Sequence, residues 1–468
     1  MKNRDNDRAM LIRRRLLQAA GWGSLGAMLP VLGCGGGGSN EGDGVSVGQG
    51  WSSRTRTTTT TTTTTLANTG LTGRVVVVGG GMAGAAVAKY LRLWGGSGVS
   101  VTLVERSASY TSNIMSNLVL TGQRTLGSLQ YKYDTLASRY GVQRVQGDVV
   151  AIDPVKKTVK LASGSTLACE RLVLAPGVEF IYEQGVGIPG LESAAAQAKV
   201  LHAWQAGDQT TALRKQITAM PSGGVFVLTI PAKPYRCPPG PYERACLVAD
   251  WLKKNRPGSK VIILDANPGI TAEVHSFTDA FMNVHAGVTE YHAGVSIAGI
   301  DTSTMTVDCS VGKIKANVIN AIPPHRAGRV VTAAGLADQG GRWASVNQLS
   351  YESKVPGADG IHVIGDSAGT AQPKAGHIGN QLGKVCADAI LRSFGGLPLD
   401  PAPVTNSACY SPITMDTASW LTAVFAYDPG TQSMAAVADS FREAAARDGG
   451  NFSNMGKWFN ALMSETFS

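Results

Sequence analysis

The chain has 468 residues, of which 43% are hydrophobic and 16% charged, with 57 glycines. This length exceeds what one hydrophobic core fills, and the apolar content excludes a disordered or fibrous protein, so two or three folded domains are expected. The formal net charge is +9. Beyond residues 13–15 the basic side chains form no run and are not interleaved with aromatic residues, which excludes nucleic acid as an expected partner.

The first 34 residues have the features of an export signal. Arg13 and Arg14 precede a short apolar run that ends near Leu32 and is interrupted by glycines and Gln18. The run is too weakly hydrophobic for a typical membrane span. Paired arginines favour the Tat pathway, which carries folded proteins to the periplasm. An uncleaved membrane anchor is the alternative interpretation of residues 1–34.

The end of this run, Val31-Leu32-Gly33-Cys34, is similar to the lipobox of bacterial lipoproteins. Cys34 is therefore a lipidation candidate, which would tether the protein to a membrane, and signal cleavage near this point without a lipid is the alternative. Residues 35–72 contain glycines at 35–38 and nine threonines at 57–65. Because such a segment buries little apolar surface, it is predicted to be a disordered Gly/Thr-rich tether.

A nucleotide-binding pattern begins at Gly73. Four valines at 75–78 predict a buried parallel strand, which runs directly into a G-x-G-x-x-G turn at 79–84. Glycines at this spacing allow a tight turn, close approach of a pyrophosphate, and close packing of the following helix. The next predicted strand, 99–104, ends at Glu105, where a carboxylate can accept hydrogen bonds from a ribose.

A second strand–helix–strand unit is predicted within residues 224–265. Its strand-to-helix turn, 231–241, reads PAKPYRCPPGP. Prolines remove N–H donors and fill the turn, which is the reverse of what a pyrophosphate requires. The second unit is therefore predicted to bind no nicotinamide cofactor.

Cys237 lies in this proline-rich turn, just before the predicted helix 242–254. The helix dipole is expected to favour its thiolate, a nucleophile toward sulfur or carbonyl substrates. Glu243 lies in the first helical turn and is a candidate acid, base or electrostatic partner. The alternative is that Cys237 is a buried structural cysteine.

Several segments together resemble a known flavoprotein family. RLVLAPG at 171–177 and GIHVIGD at 360–366 resemble flavin-contact motifs of two-dinucleotide-fold flavoproteins, which favours FAD over NAD at the first site. CPPGPYERA at 237–245, VINAIPPHRAG at 318–328 and CYS at 409–411 resemble the flavoprotein subunit of flavocytochrome c sulfide dehydrogenase.

This resemblance implies an α/β, glutathione-reductase-like fold with two Rossmann-type dinucleotide domains plus a C-terminal α+β segment. The implied boundaries are an FAD-binding domain at 73–190 and 331–395, a degenerate second domain at 191–330 and a C-terminal domain at 396–468. The implied activity is oxidation of sulfide or another reduced sulfur compound in the periplasm, with electrons passing through FAD to a c-type cytochrome. The chain itself has no heme-attachment motif and no expected metal site.

The implied catalytic residues are Cys237 and Glu243. The implied cofactor-binding residues are Gly79, Gly81, Met82, Ala83, Gly84, Glu105, Arg106, Asn113, Val149, Ala175, Gly177, Gly365, Asp366 and Lys374. Lys374 is expected near the flavin pyrimidine ring, where its charge would stabilise a reduced anionic flavin. His325 and His377 are candidates for moving protons, with a structural role as the alternative.

Two family cysteines are missing from this chain. The second member of the family's redox disulfide falls at Ala344, and Asn113 stands where known members can attach FAD covalently. Noncovalent FAD is therefore expected. The alternatives to a sulfide:cytochrome c enzyme are a sulfide:quinone-type reductase and a non-catalytic flavin electron relay. Among the other thiols, Cys409 matches a family cysteine outside the redox pair, and four are expected to be inert, namely Cys169, Cys246, Cys309 and Cys386.

Overall fold

The computed structural model describes residues 66–468, so the predicted signal, Cys34 and the tether up to residue 65 lie outside the described residues. The predicted tether extends to residue 72, but the chain already makes ordered contacts before that point. Ser97 N donates to Ala67 O at 3.0 Å, and Thr69 Oγ1 donates to Gly95 O at 2.5 Å. The described chain therefore packs on the first domain a few residues ahead of the predicted boundary.

The first domain is built on a seven-stranded sheet. In spatial order its strands are Val346–Asn347, Glu352–Ser353, Ile361–Val363, Arg171–Leu174, Gly73–Val78, Val99–Glu105 and Gln143–Gln146. The last five are mutually parallel. The strand Gly73–Val78 is buried through its valines, as expected for a central strand covered on both faces.

Helices cover this sheet, and two of them pack against each other through small residues. They are Met82–Gly95 and Gly376–Phe394. A Cβ on Gly383 would lie 2.8 Å from Ala83 O, so glycine permits this close approach. Smaller elements of the domain are Ser109–Thr111, Asn117–Thr121, Gly127–Leu129, Gln130–Lys132, Asp134–Tyr140, Val149–Asp153, Thr158–Leu161, Thr166–Ala168, Val178–Phe180, Arg329–Ala333 and Gly365–Ser367.

The second domain repeats the parallel architecture on a smaller scale. Its four-stranded sheet has the spatial order Thr289–His292, Lys260–Asp265, Val225–Ile230 and Val318–Ala321. Its helices are Ala194–Lys199, Asp208–Ala219, Gly240–Asn255 and Val274–Asp279, the last continued by a π-helical turn at Ala280–Val284. An antiparallel sheet is formed by Ile297–Asp301, Thr306–Cys309 and Gly312–Lys315, and His325–Ala327 pairs with Val178–Phe180. The predicted second Rossmann-type unit is therefore present.

The C-terminal segment is α+β, as predicted. Its antiparallel strands are Val404–Pro412, Ala418–Asp428, Ser433–Ala436 and Arg442–Glu443, and its helix is Gly449–Phe467. The helix ends against the first domain, where Phe467 stacks on Tyr110 with ring centroids 4.9 Å apart. Within residues 66–468, the helices are too short or too polar to cross a membrane.

Arg244 joins the two dinucleotide domains from a fully buried position. Its Nε donates to Asn117 Oδ1 at 2.9 Å in the first domain, and its Nη1 donates to Asn320 Oδ1 at 2.9 Å in the second. Further donations reach the carbonyls of His202 and Ala203. Burial lowers the pKa of Arg244 to about 9, so the guanidinium remains charged at neutral pH.

Arg244→Met should lower the free energy of unfolding by about 3 kcal/mol, because it leaves several buried acceptors without a donor. Thermal and urea unfolding of the purified protein measure this loss. Arg74→Met is the matched control, since the Arg74 side chain is 65% exposed and its removal should change stability by less than about 0.5 kcal/mol. Equal stabilities of the two variants would contradict a joining role for Arg244.

Candidate active site

Four of the predicted cofactor residues lie at one edge of the first sheet. Val78 pairs with Val104 on one side and Leu174 on the other, and Leu174 pairs with Val363. Because these strands are parallel, the residues that follow them lie side by side. Gly79, Glu105, Ala175 and Gly365 are therefore adjacent at the carboxyl edge, where open α/β sheets bind ligands.

The glycine turn is shaped by close backbone packing on one side and open space on the other. Gly79 has φ +100°, and a Cβ there would lie 2.4 Å from Ala175 O. A Cβ on Gly84 would lie 1.8 Å from Gly79 O. By contrast, the nearest atom to a Cβ on Gly81 would be on Tyr110, at 4.0 Å.

The helix begins at Met82, so the N–H groups of Met82 and Ala83 belong to its first turn and point out of the helix start. A pyrophosphate can approach this turn over Gly81, where no side chain intrudes. The turn therefore fits the phosphate group of a dinucleotide.

Glu105 is held by the main chain. Its Oε2 accepts from Gly80 N at 2.7 Å and its Oε1 accepts from Ser107 N at 2.9 Å. Each oxygen keeps a lone pair that fits a ribose hydroxyl donor. Arg106 points into solvent and makes an exposed 3.6 Å ion pair with Asp148, the residue before the buried Val149. Arg106 and Val149 therefore lie on the Glu105 side of the site.

The Gly365-Asp366 turn carries a carboxyl group without a hydrogen-bond partner in the described part of the chain. Burial raises the pKa of Asp366, and the charges of Arg236 and Lys374 oppose this rise. Gly177, with φ +76°, lies beside this turn, since its carbonyl accepts from Ser367 Oγ at 2.5 Å. An acceptor of this kind fits the sugar-alcohol hydroxyls of a flavin.

Lys374 lies close to Asp366 and is 6% exposed. Its Nζ donates to Asp366 O and Ala368 O, each at 2.9 Å, and lies 3.6 Å from the ring centroid of Trp343. Burial lowers the pKa of Lys374 to about 8. Both hydrogen bonds go to main-chain carbonyls, so the structure shows a lysine anchored beside the Asp366 turn.

Two positions of the family pattern are filled by non-thiol residues with fixed contacts. Asn113 Oδ1 accepts from Ala206 N at 2.8 Å, so this side chain is used to hold a neighbouring segment. Ala344 is fully buried, and its N donates to Ser367 O at 3.1 Å.

Cys237 is connected to the first domain through its main chain. Its N donates to Lys374 O at 2.7 Å, and its carbonyl accepts from Gly240 N at 2.9 Å. Its φ is +59°, in the left-handed region. Arg236, beside it, donates to Trp204 O, and Trp204 Nε1 donates back to Arg236 O at 3.1 Å. The proline-rich loop 231–239 therefore places the thiol next to the segment that follows Asp366.

The expectation of a stabilised thiolate at Cys237 is wrong. Surrounding protein desolvates the sulfur and the charge of Glu243 repels a thiolate, so the pKa of Cys237 rises to about 12 despite the opposing effect of Arg236. Pro239 and Pro241 also deprive the helix start of N–H donors that could stabilise an anion. Cys237 is therefore a neutral thiol at physiological pH.

Glu243 belongs to a pair of buried carboxyl groups. Its Oε1 accepts from Asn117 Nδ2 at 2.9 Å, and burial raises its pKa to about 8, with Glu273 adding to the rise. Glu273 is fully buried and its Oε1 accepts from Ser411 Oγ at 2.5 Å, whereas its Oε2 has no partner. Burial raises the pKa of Glu273 to about 7. Glu273 could not be predicted from the sequence, because an isolated glutamate in a loop belongs to no recognisable pattern.

The two candidate histidines are both neutral. Burial lowers the pKa of His325 to about 3, and His325 Nδ1 is 2.7 Å from Pro323 O. Burial also lowers the pKa of His377 to about 4, and its Nδ1 accepts from Ala408 N at 3.0 Å. Neither ring takes up a proton near pH 7. Within residues 66–468 there is no cluster of three or more His, Cys, Asp and Glu able to hold a metal.

Two family models together match residues 73–323. Residues 73–220 match the pyridine nucleotide-disulphide oxidoreductase family, and residues 210–323 match the central region of the sulfide dehydrogenase (flavocytochrome c) flavoprotein chain. The chain is a two-dinucleotide-fold FAD oxidoreductase. The resemblance stated from the sequence is confirmed, and FAD is supported in general as the cofactor.

Individual similar proteins match different shares of this chain. The solved sulfide:quinone oxidoreductase of Aquifex aeolicus superposes with a TM-score of 0.66 at 17% identity, covering 84% of this chain and 91% of that one. The mitochondrial sulfide:quinone oxidoreductase of Dictyostelium discoideum is 21% identical over 76% of this chain and 78% of its own length. Ferroptosis suppressor protein 1 of Taeniopygia guttata is 35% identical, but the match spans 22% of this chain and about a quarter (26%) of that protein.

Gly81→Ala should abolish FAD binding without disturbing the fold. The new methyl group meets no protein atom closer than 4.0 Å, yet it occupies the approach of the pyrophosphate. Flavin absorbance per mole of protein and circular dichroism measure the two effects. Gly127→Ala, where a Cβ has nothing within 4 Å, is the control and should retain FAD. A fully flavinated Gly81→Ala variant would show that the dinucleotide does not approach over this turn.

The reduced protein should alkylate slowly at Cys237. With a pKa of about 12, the thiolate fraction at pH 8 is on the order of a thousandfold below that of free cysteine, and it rises about tenfold per pH unit. Iodoacetamide labelling followed by peptide mass spectrometry measures the rate, with glutathione as the reference. Glu243→Gln removes the repelling charge and should accelerate labelling. A Cys237 that reacts as fast as glutathione at pH 8 would contradict the neutral thiol.

Proposed function

We propose that this chain is an exported FAD-dependent oxidoreductase that oxidises sulfide, or another reduced sulfur compound, at Cys237 and passes the electrons to a c-type cytochrome. The match of residues 210–323 to the sulfide dehydrogenase flavoprotein supports the sulfur substrate. The single observation that carries the proposal is the 2.7 Å hydrogen bond from Cys237 N to Lys374 O. It holds the only thiol of the proline-rich loop beside the turn that fits the flavin.

FAD, when bound, supplies a two-electron acceptor, and we propose that it binds noncovalently, because Asn113 offers no thiol for attachment. The chain's own groups then have distinct tasks. The glycine turn and Glu105 bind the dinucleotide. Glu243, with a raised pKa, holds a proton near Cys237 at neutral pH and can give it to a departing sulfur. Arg236 and Lys374 provide positive charge that attracts an anionic substrate.

The second domain is proposed to bind no pyridine nucleotide. Its strand ends at Ile230 and its helix begins at Gly240, so the loop 231–239 replaces the short glycine turn of the first domain. Four prolines in this connection, at 231, 234, 238 and 239, leave few N–H donors for a phosphate. Electrons are therefore proposed to leave through a protein or quinone acceptor.

Quinone is the second candidate acceptor. It is favoured by the similarity to two proteins named sulfide:quinone oxidoreductase, from Aquifex aeolicus and Dictyostelium discoideum. A c-type cytochrome is favoured by the match to the flavocytochrome c flavoprotein chain. The twin arginines and Cys34 support export to the periplasm by the Tat pathway, with a lipid tether as part of the same proposal.

Anaerobic sulfide should bleach the flavin absorbance of the purified holoprotein, and Cys237→Ser should reduce this rate at least a hundredfold, because the sulfur that accepts the substrate is gone. Stopped-flow absorbance measures the bleaching. Cys309→Ser is the matched control, since Cys309 lies in the Ile297–Lys315 hairpin region and donates to Gly312 O. Reoxidation by cytochrome c and by a soluble quinone, measured side by side, separates the two acceptors.

Absence of bleaching by sulfide and by other reduced sulfur compounds would overturn the enzymatic proposal and favour a flavin electron relay. Stoichiometric bleaching by NADH would instead overturn the proposal that the second domain binds no nicotinamide cofactor.

A further inference from the structure

Two of the cysteines in residues 66–468 differ from the rest in exposure. Cys237 and Cys409 are partly exposed, whereas the other four are buried. The four buried cysteines have other surroundings. Cys169 donates to Lys157 O and Cys309 donates to Gly312 O, while Cys246 and Cys386 are fully buried within helices. Exposure therefore singles out one thiol besides Cys237.

The strand Val404–Pro412 directs Cys409 toward the interior. Alternate residues of a strand share a face, so Thr405, Cys409 and Ser411 point the same way. Thr405 Oγ1 accepts from Gln372 Nε2 at 2.6 Å, and Ser411 Oγ donates to Glu273 at 2.5 Å. On the opposite face, Tyr410 contacts Trp458 of the C-terminal helix. Cys409 therefore faces the space between these two interior contacts.

Both interior contacts of this strand connect it to residues near Cys237. Gln372 is two residues before Lys374, whose carbonyl accepts from Cys237 N. On the other side, Glu273 adds to the raised pKa of Glu243, which lies one helical turn after the Cys237 loop. Cys237, Glu243, Glu273 and Cys409 thus form one group, here called the acidic cluster.

Electrostatics supports this grouping. Burial raises the pKa of Cys409 well above its ordinary value, and ionised Cys237, Glu273 and Glu243 would raise it further, in that order. Cys246 shares Glu243 and Glu273 with Cys409, but Cys237 is not among the groups that shift its pKa. Its raised pKa reflects burial and the charges of Glu243, Glu273 and Asp250. Among the other described thiols, Cys409 is the one whose pKa is raised by the charge of ionised Cys237.

We propose that Cys237 and Cys409 are a redox pair, which form a disulfide in place of the one that Ala344 precludes. The pairing rests on the positions of the two thiols and does not require a sulfur substrate. Its use in turnover rests on the proposed function.

Formation of the disulfide joins the two Sγ atoms and releases two protons and two electrons. The electrons go to a two-electron acceptor, which is the flavin in the holoprotein and diamide in the experiment below. The acidic cluster does not stabilise a thiolate form of the reduced pair, and such stabilisation would oppose disulfide formation. A neutral Cys237 is also a poor nucleophile, whereas a disulfide makes its sulfur an electrophile.

The disulfide then accepts the substrate by exchange. Hydrosulfide attacks Sγ of Cys237, the Cys237–Cys409 bond breaks, and the Cys409 sulfur takes the proton of neutral Glu243. The products are a Cys237 persulfide, a Cys409 thiol and a Glu243 carboxylate, so atoms and charge balance. The substrate sulfur is oxidised to the sulfane level and Cys409 is reduced. Proton transfer offsets the poor leaving ability of a thiolate with a high pKa.

Disulfide mapping tests the pair without relying on turnover. The holoprotein is reduced, freed of reductant, oxidised with one equivalent of diamide, blocked with N-ethylmaleimide, and digested without reduction. We expect one cross-linked peptide pair containing Cys237 and Cys409, and two fewer blocked thiols per chain. Cys409→Ser and Cys409→Ala should each abolish the cross-link, and Cys309→Ser should leave it intact. Circular dichroism and flavin content verify that each variant is folded.

Failure to cross-link in the folded wild-type protein, or a cross-link from Cys237 to another cysteine, would overturn the pair. A second measurement separates this result from failure of the proposed function. Hydrosulfide and dithiothreitol are each added to the oxidised protein. If both reagents open the cross-link, the result supports the redox pair and sulfide as its substrate. If only dithiothreitol opens it, the pair stands and the sulfide substrate is overturned. Flavin bleaching by sulfide in a protein that never cross-links would leave the sulfide substrate standing and overturn the pair.

Discussion

The site depends on one main-chain hydrogen bond, from Cys237 N to Lys374 O. It links the proline-rich loop of the second domain to the segment that follows Asp366 in the first domain. Cys237 adopts a left-handed φ of +59°, a conformation that costs a non-glycine residue about 1 kcal/mol or more. The contact from Gly240 N to Cys237 O offsets this cost by closing the turn. The position of the sulfur is therefore set by the backbone, and a serine at this position keeps the loop geometry.

The parts of the site that follow from local sequence were predictable. Strand 75–78, the 79–84 turn and Glu105 belong to one short pattern, and the structure places them at adjacent strand ends. The Gly365-Asp366 turn joins them, because parallel pairing brings residues far apart in the chain to the same sheet edge. The packing of Ala67 and Thr69 on the 95–97 turn could not be predicted from local sequence, because these contacts are tertiary.

The carboxyl pair and the direction of the Cys237 pKa could not be predicted in this way. Glu273 reaches Ser411 across a large sequence separation, so no spacing rule connects them. For Cys237, the sequence offered only a local argument. A helix dipole contributes about 0.3–1 kcal/mol, whereas burial and a nearby carboxylate shift a pKa by several units. Which effect wins depends on how closely Glu243 and the loop pack around the sulfur, and this is a property of the tertiary fold.

Charge within the site determines whether the substrate or the protein supplies the nucleophile. Near Cys237, the charges of Glu243 and Asp366 raise the thiol pKa and the charge of Arg236 lowers it. Adding a thiolate here is unfavourable, because burial dominates and Glu243 already holds its proton to about pH 8. A substrate that arrives as an anion does not require this ionisation of the protein thiol. The arrangement therefore favours a nucleophile brought by the substrate, with protein sulfur as the atom attacked and a buried carboxyl group as the proton donor.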